Sequence, residues 1–148
     1  MNILFLNTSD QLGGAAIAAK RLTDALNKEH LKVTMLVRDK SSNDFDVIAV
    51  HQSPKLAYNF VAERIKIWMS NLFTRKNLFA VSIANTGSSI TNLPEFKNAD
   101  IVHLHWINQG FISLSELQKI INSGKPIVWT MHDMWPITGI CHHSRSCV

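Results

Sequence analysis

Apolar residues along this chain occur as short continuous runs and as spaced stripes, and the two patterns alternate. Asn2-Ile3-Leu4-Phe5-Leu6-Asn7 is an apolar run with polar ends, the pattern of a strand buried on both faces. Residues 8–14 supply turn formers, and residues 15–30 then set Ile17, Leu22 and Leu26 at near-helical spacing among Ala, Lys and Arg, which predicts a glycine-containing loop leading into a helix. Strands are expected at 33–37 and 46–50, separated by the polar stretch 38–44. Pro54 opens a long helix expected to reach about residue 76, with Ala57, Val61, Ile65, Trp68 and Leu72 as an apolar stripe and Lys55, Arg64, Lys66, Arg75 and Lys76 making it basic. The stripe is expected to pack on the sheet, with a membrane-surface role as the second reading. Residues 78–92, around Gly87, are too irregular for an element and suit a loop near a cleft. After a turn near Pro94 come a strand at 100–107, a helix at 114–122, a Gly124-Lys125-Pro126 break and a strand at 127–131.

Strands alternating with helices imply a parallel sheet with right-handed crossovers, covered on both faces. The expected fold is α/β, a Rossmann-like single domain over residues 1–148. In such open sheets, ligands bind at the carboxyl ends of the strands, so residues just beyond those ends carry the functional reading.

Composition narrows the partners more than the chemistry. With 46% hydrophobic and 18% charged residues in 148, the chain can build a sizeable core. A net charge of +4, from 15 basic and 11 acidic residues, mildly favours anionic partners, and no nucleic-acid partner is expected. No apolar run approaches the ~20 residues that span a bilayer. The N-terminus lacks the basic and apolar succession of a secretory signal, so the expected location is cytoplasmic. Cys141 and Cys147 lie close together at the end of the sequence and cannot staple the domain. Reduced thiols are the favoured reading; with His142 and His143 they contain metal-ligand types but match no complete zinc signature, so terminal zinc is the weaker alternative.

Besides that Cys/His segment, chemistry gathers at three places. Gly13 and Gly14 stand between the first strand and first helix, where bare backbone and helical N–H groups suit a phosphate, with a plain flexible turn as the alternative. His103 and His105 share one face of the fourth strand, with His105 nearer its carboxyl end and Trp106 and Asn108 following at the mouth. A metal at this histidine pair is a minor alternative to hydrogen-bonded imidazoles. His132 and Asp133 follow the fifth strand; adjacency alone does not make them a dyad, hydrogen bonds that merely fix the loop are the alternative, and no Ser or Cys beside them forms a nucleophile motif. A stand-alone nucleotide- or NAD-binding enzyme remains a competing reading because Asp39 lies just beyond the second strand. The missing third glycine counts against it. A small zinc-organised interaction domain is a third.

The segments Leu6-Asn7-Thr8-Ser9-Asp10, Gly13-Gly14-Ala15-Ala16, Asp100-Ile101-Val102-His103-Leu104-His105-Trp106-Ile107-Asn108 and Trp129 to Pro136, continuing through Thr138-Gly139, together resemble the N-terminal domain of bacterial family-4 glycosyltransferases. The resemblance covers nearly the whole chain and is weakest over 38–92. It implies half of a GT-B arrangement, with the nucleotide-sugar held mainly by a C-terminal half and the acceptor mainly by this one. Gly13 and Gly14 would approach the donor diphosphate, and His132 would be the catalytic contact to the transferred sugar. His105, Trp106, Asn108, Asp133 and Trp135 would shape the acceptor side. The implied reaction transfers a sugar, with retention, to a hydroxyl of a surface polysaccharide or lipid-linked glycan. It demands neither metal nor cofactor, and the basic helix could keep the enzyme peripheral at a membrane. The family's donor half carries two glutamates separated by seven residues; Glu29, Glu63, Glu95 and Glu116 offer no such pair. The expectation is therefore a donor-binding domain outside this chain, without which the chain transfers no sugar.

Overall fold

Five strands, β1 (Asn2–Ser9), β2 (Lys32–Asp39), β3 (Val47–Ala49), β4 (Ile101–Leu104) and β5 (Ile127–Trp129), form one sheet in a computed structural model that describes residues 1–50, 54–75 and 78–143. The order is β3-β2-β1-β4-β5 and every pairing is parallel, the expected Rossmann-like α/β topology. The reversal of strand order falls between β1 and β4, the position where such sheets open a crevice.

Period-two alternation along β1 divides the core. Leu4 and Leu6 join the larger cluster, which includes Leu36, Val102, Leu104, Phe111, Leu117 and Ile120. Ile3 and Phe5 face the other way, with Val33, Met35, Val37 and Ala19. The second cluster is covered by α1 (Gly14–Lys28) and the first by α4 (Leu114–Ile121). Phe5 is fully buried, so truncation to Ala is expected to cost about 3–5 kcal/mol.

The expected elements form, with shifted ends. β1 runs on to Ser9 and β2 to Asp39, whereas β4 stops at Leu104 and β5 at Trp129, because the chain beyond those points turns to build the cleft. The turn near Pro94 is a short helix, α3 (Pro94–Asn98), started by the proline. A one-turn helix at Trp135–Thr138 was not expected; Gly139 ends it at φ 83°.

The long helix, α2 (Pro54–Ser70), is the main correction. The stripe assigned to packing faces outward: Val61, Ile65 and Trp68 are 49%, 49% and 37% exposed, with Leu72 beyond the helix at 84%. The buried side carries Asn59, Glu63, Arg64 and Ile67. Glu63 Oε1 accepts the amides of Ile83 and Ala84, each at 2.9 Å, and its Oε2 pairs with Arg64 at 2.9 Å. Arg64 in turn donates to the carbonyls of Leu78 and Val81. The helix is thus pinned by polar groups onto the irregular segment following it. Of the basic residues assigned to the helix, Arg64 is turned inward and Lys66 and Arg75 are exposed; the Lys55 side chain and Lys76 lie outside the described residues.

A second buried carboxylate holds the other end of that segment. Glu116 Oε1 accepts the amides of Ile90 at 2.7 Å and Thr91 at 2.8 Å, and the Thr91 hydroxyl at 2.8 Å. Burial acts to raise its pKa, but hydrogen bonds from Thr91, Lys119 and Ile90 outweigh that and hold it below the ordinary value. At Gly87 a Cβ would lie 2.2 Å from the backbone nitrogen of Ser113, so only glycine allows the segment to pass there.

Candidate functional site

The cleft lies at the carboxyl ends of β1, β4 and β5. Its volume is about 680 Å³, and its wall includes Leu12, Gly13, Gly14, Trp106, His132 and Asp133. A smaller hollow at the opposite end of the sheet, about 300 Å³ beside Asn2 and Pro94, holds none of the residues singled out from sequence.

The end of β1 fixes both the glycine loop and the exit of β4. Ser9 Oγ accepts the amides of Gln11 and Leu12 at 3.3 and 3.0 Å. Asp10 accepts those of Ser41 and Ser42 at 2.8 Å each, tying the loop to the connection beyond β2. Burial works to raise the Asp10 pKa, and bonds from Ser42 and Ser41 more than offset it, so the carboxylate stays ionised. Gly13 then adopts φ 89°, and α1 begins without a side-chain cap or an acidic residue in its first turn. A Cβ on Gly13 or Gly14 would meet nothing within 4 Å. Gly13, Gly14 and Ala15 line the cleft, which places the start of α1, and with it the positive end of the helix dipole, on the wall.

Across the cleft, Asn7 Oδ1 accepts the Trp106 amide at 2.9 Å, and Thr8 donates its amide to the Trp106 carbonyl at 2.7 Å. The Thr8 hydroxyl also reaches the Trp106 and Asn108 carbonyls at 2.9 and 3.1 Å. This clasp holds Trp106 at the rim, where its Nε1 donates to Asp133 Oδ2 at 2.7 Å. The same oxygen is 2.5 Å from His142 Nδ1, and Asp133 Oδ1 accepts the Trp135 amide at 3.0 Å.

His142 Nε2 lies 3.0 Å from Ser82 Oγ, giving an Asp133–His142–Ser82 chain. Ser82 is wholly buried, so this order is a structural pin and not a nucleophile at a surface. It fastens residues 134–143 to the irregular segment, together with the Val81–Cys141 bridge and the Ser82 amide bond to the Ile140 carbonyl at 2.9 Å. Phe79 and Ala80 from that segment complete the wall with His142 and His143.

His132 stands on a pair of imidazoles. Its Nε2 is 2.9 Å from His105 Nδ1, and the His105 ring lies 4.3 Å from that of His103 at 28°. His103 Nε2 is 2.8 Å from the Thr130 hydroxyl. Burial, helped by the neighbouring His103 and His132, pushes His105 down to about 3. Burial also lowers His103 and His132, the latter against the opposing charge of Asp133. All three are neutral near pH 7.

Of the residues singled out from sequence, Gly13, Gly14, Trp106, His132 and Asp133 meet on the cleft wall. His105 and Asn108 are each 3% exposed and lie behind it. Trp135 is in the core cluster, with its Nε1 donating to the Ser82 carbonyl at 2.8 Å. His132 and Asp133 are not hydrogen-bonded as a dyad: the first goes to His105 and the second to Trp106 and His142. Sequence reading missed Leu12, Ala15, Phe79, Ala80, Gln109, His142 and His143 as wall residues. His142 was visible only as a metal-ligand type, and nothing in its spacing pointed to Asp133. Among the described residues no group of three or more His, Cys, Asp or Glu is arranged to hold a metal ion. Cys141 is disulfide-bonded, which corrects the expectation of reduced thiols; Cys147 lies outside the described residues.

A doubly wound parallel sheet with a glycine loop, an uncapped helix start and a histidine at its crevice defines a Rossmann-like ligand-binding domain. The sequence places it further: the family model described as Glycosyltransferase Family 4 matches residues 12–146, and the chain belongs to that family as its N-terminal domain. The Rossmann-like sheet is accordingly one half of a GT-B architecture, and the role is glycosyltransferase-like. Neither curated proteins nor solved structures gave a match.

Proposed function

We propose that this domain is the acceptor side of a retaining glycosyltransferase that moves a sugar from a nucleotide-diphosphate donor to a hydroxyl of a surface polysaccharide or lipid-linked glycan. The observation that carries the reading is the meeting of three unlike groups on one wall: the open first turn of α1, the neutral His132 and the indole of Trp106. Amides at a helix start suit the departing diphosphate, stabilising negative charge as it develops without a metal. A neutral imidazole donates or accepts one hydrogen bond from a sugar without placing a cation beside an oxocarbenium-like centre. Trp106 offers an apolar face on which an acceptor ring can rest.

Asp133, the cleft carboxylate, already receives bonds to both oxygens. That favours a reaction in which the leaving phosphate, held close, shields the reacting carbon, over one with an Asp133–sugar intermediate. In this reading a second, donor-binding Rossmann unit completes the cleft and residues 1–148 alone do not turn over.

Among the described residues no helix is long and apolar enough to cross a membrane. We further propose peripheral contact through the outer face of α2. Val61, Ile65 and Met69 are exposed there with Lys66, and Leu72, Phe73 and Arg75 follow. Apolar groups edged by cations suit an anionic lipid surface.

The central test is His132→Ala in turnover-competent enzyme, assayed by transfer from nucleotide-sugars to glycan acceptors. Turnover should fall by about a hundredfold or more, the usual scale for losing a positioned transition-state contact, with circular dichroism unchanged. Unaltered turnover in a folded variant would sink the assignment.

A further inference from the structure

The stacked histidines contain information about a proton. His105 is 3% exposed and wedged against the Phe5 ring at 4.8 Å and the His103 ring at 4.3 Å. Its Nδ1 faces His132 Nε2 at 2.9 Å, and no polar group among the described residues reaches its buried Nε2. A neutral imidazole carries one N–H, so this single hydrogen bond admits two arrangements.

In the first, the His105 proton is on Nδ1 and is donated to His132; the unpartnered atom is then a bare lone pair. In the second, His132 donates and the His105 proton sits on Nε2, an N–H with nothing to receive it. An orphaned buried N–H is the rarer and costlier defect, since a lone pair against ring edges still gains weak C–H contacts. We infer that His105 is a positioning residue that holds His132 in the Nδ1–H tautomer, so that the cleft presents a hydrogen-bond donor to its ligand.

Two further observations agree. Asp133, next in the chain, has its oxygens occupied by Trp106, His142 and the Trp135 amide, so it does not draw the His132 proton away. His132 itself lines the cleft. The inference rests on the transferase reading for its ligand: the oxygen that accepts from Nδ1–H would be a hydroxyl, ring or phosphate oxygen of a nucleotide-sugar. An Nε2–H tautomer would instead offer those groups a lone pair, which only hydroxyls could satisfy.

The tautomer is read directly by two-bond ¹H–¹⁵N correlation spectra of the ¹⁵N-histidine-labelled chain at pH 7.5, with no sugar present. The expected result is a protonated Nδ1 and a bare Nε2 on both His105 and His132. A protonated Nε2 on His132 would overturn the inference in the unmutated protein, whatever the variants do. His105→Phe keeps a ring against Phe5 but removes the donor, and should turn His132 into a mixture of tautomers. His105→Asn, whose Nδ2 stands near the lost Nδ1, should restore the Nδ1–H form. An unchanged His132 pattern in His105→Phe would show that His105 does not set the tautomer. Because the spectra need no substrate, a wrong tautomer refutes this inference alone, whereas failure to bind nucleotide-sugars with the correct tautomer counts against the transferase reading.

Discussion

Acid should weaken this domain through His105 well before its carboxylates protonate. In the unfolded chain the imidazole takes up a proton near its ordinary value of 6.5, while in the folded chain uptake is delayed to about 3. A depressed histidine means that the unfolded state binds more protons throughout that window. Stability is then complete above pH 6.5 and is lost as pH falls below it, at ~1.4 kcal/mol per unit once well below 6.5. Between pH 7 and pH 5 the loss from His105 alone integrates to about 2 kcal/mol. His103 and His132, also lowered by burial, act in the same direction. Glu116 and Asp10 are shifted below their ordinary values, so their contributions disappear only at more acid pH and leave this window to the imidazoles. Urea unfolding at half-unit steps from pH 7.5 to 5 measures the slope, provided the m-value stays constant. In His105→Phe the baseline stability will drop because His132 loses its partner, yet the pH slope should flatten by about one proton. Parallel slopes in the two proteins, or no slope in either, would refute the assignment of a buried neutral imidazole.

Three other variants probe separate parts of the fold and cleft. A Cβ at position 14 would meet no atom within 4 Å, and Gly14→Asp places an anion at a helix start, so thermal stability should hold or gain up to ~1 kcal/mol, while the KM for a nucleotide-sugar rises about tenfold or more in active enzyme; an unchanged KM would remove the diphosphate from the glycine loop. Glu116→Ala frees the buried amides of Ile90 and Thr91 and should cost about 2–4 kcal/mol in denaturant unfolding, so a loss below ~1 kcal/mol would mean the segment is held by something else. Leu72→Asp with Phe73→Asp changes side chains that are 84% and 61% exposed. It should leave folding intact yet reduce co-sedimentation with anionic vesicles by about a hundredfold, from ~1.5 kcal/mol for each lost insertion, and equal binding would refute the membrane contact.

Sequence patterning was most informative where a residue's neighbours in space are also periodic in the chain. Continuous runs marked the buried strands because both faces of a parallel sheet are covered, and the alternation of strand and helix dictated the crossovers. Gly13, Gly14, Trp106 and His132 could be placed at the crevice for the same reason: each directly follows a strand whose order was inferable. Patterning failed at α2, whose apolar stripe is turned to the outside while Glu63 and Arg64 are buried. Apolar periodicity reports a preference for some greasy surface, but a carboxylate that finds two amides and a guanidinium can be buried instead. The link between Asp133 and His142 was equally hidden, since it depends on a fold-back of residues 134–143 that no local signal announces.

That fold-back divides the cleft into parts with different freedom to change. The glycine loop and Trp106 are bonded to β1, so altering them disturbs the frame of the sheet. The opposite wall, Phe79, Ala80 and His143, lies in no strand of the sheet and is held by side chains outside it, Glu63, Arg64, Trp135 and His142, and by the bridge from Val81 to Cys141. Substitutions there can accumulate at little thermodynamic risk as long as those few anchors persist. The domain thus leaves one side of its cleft able to vary in its side chains without disturbing the frame of the sheet.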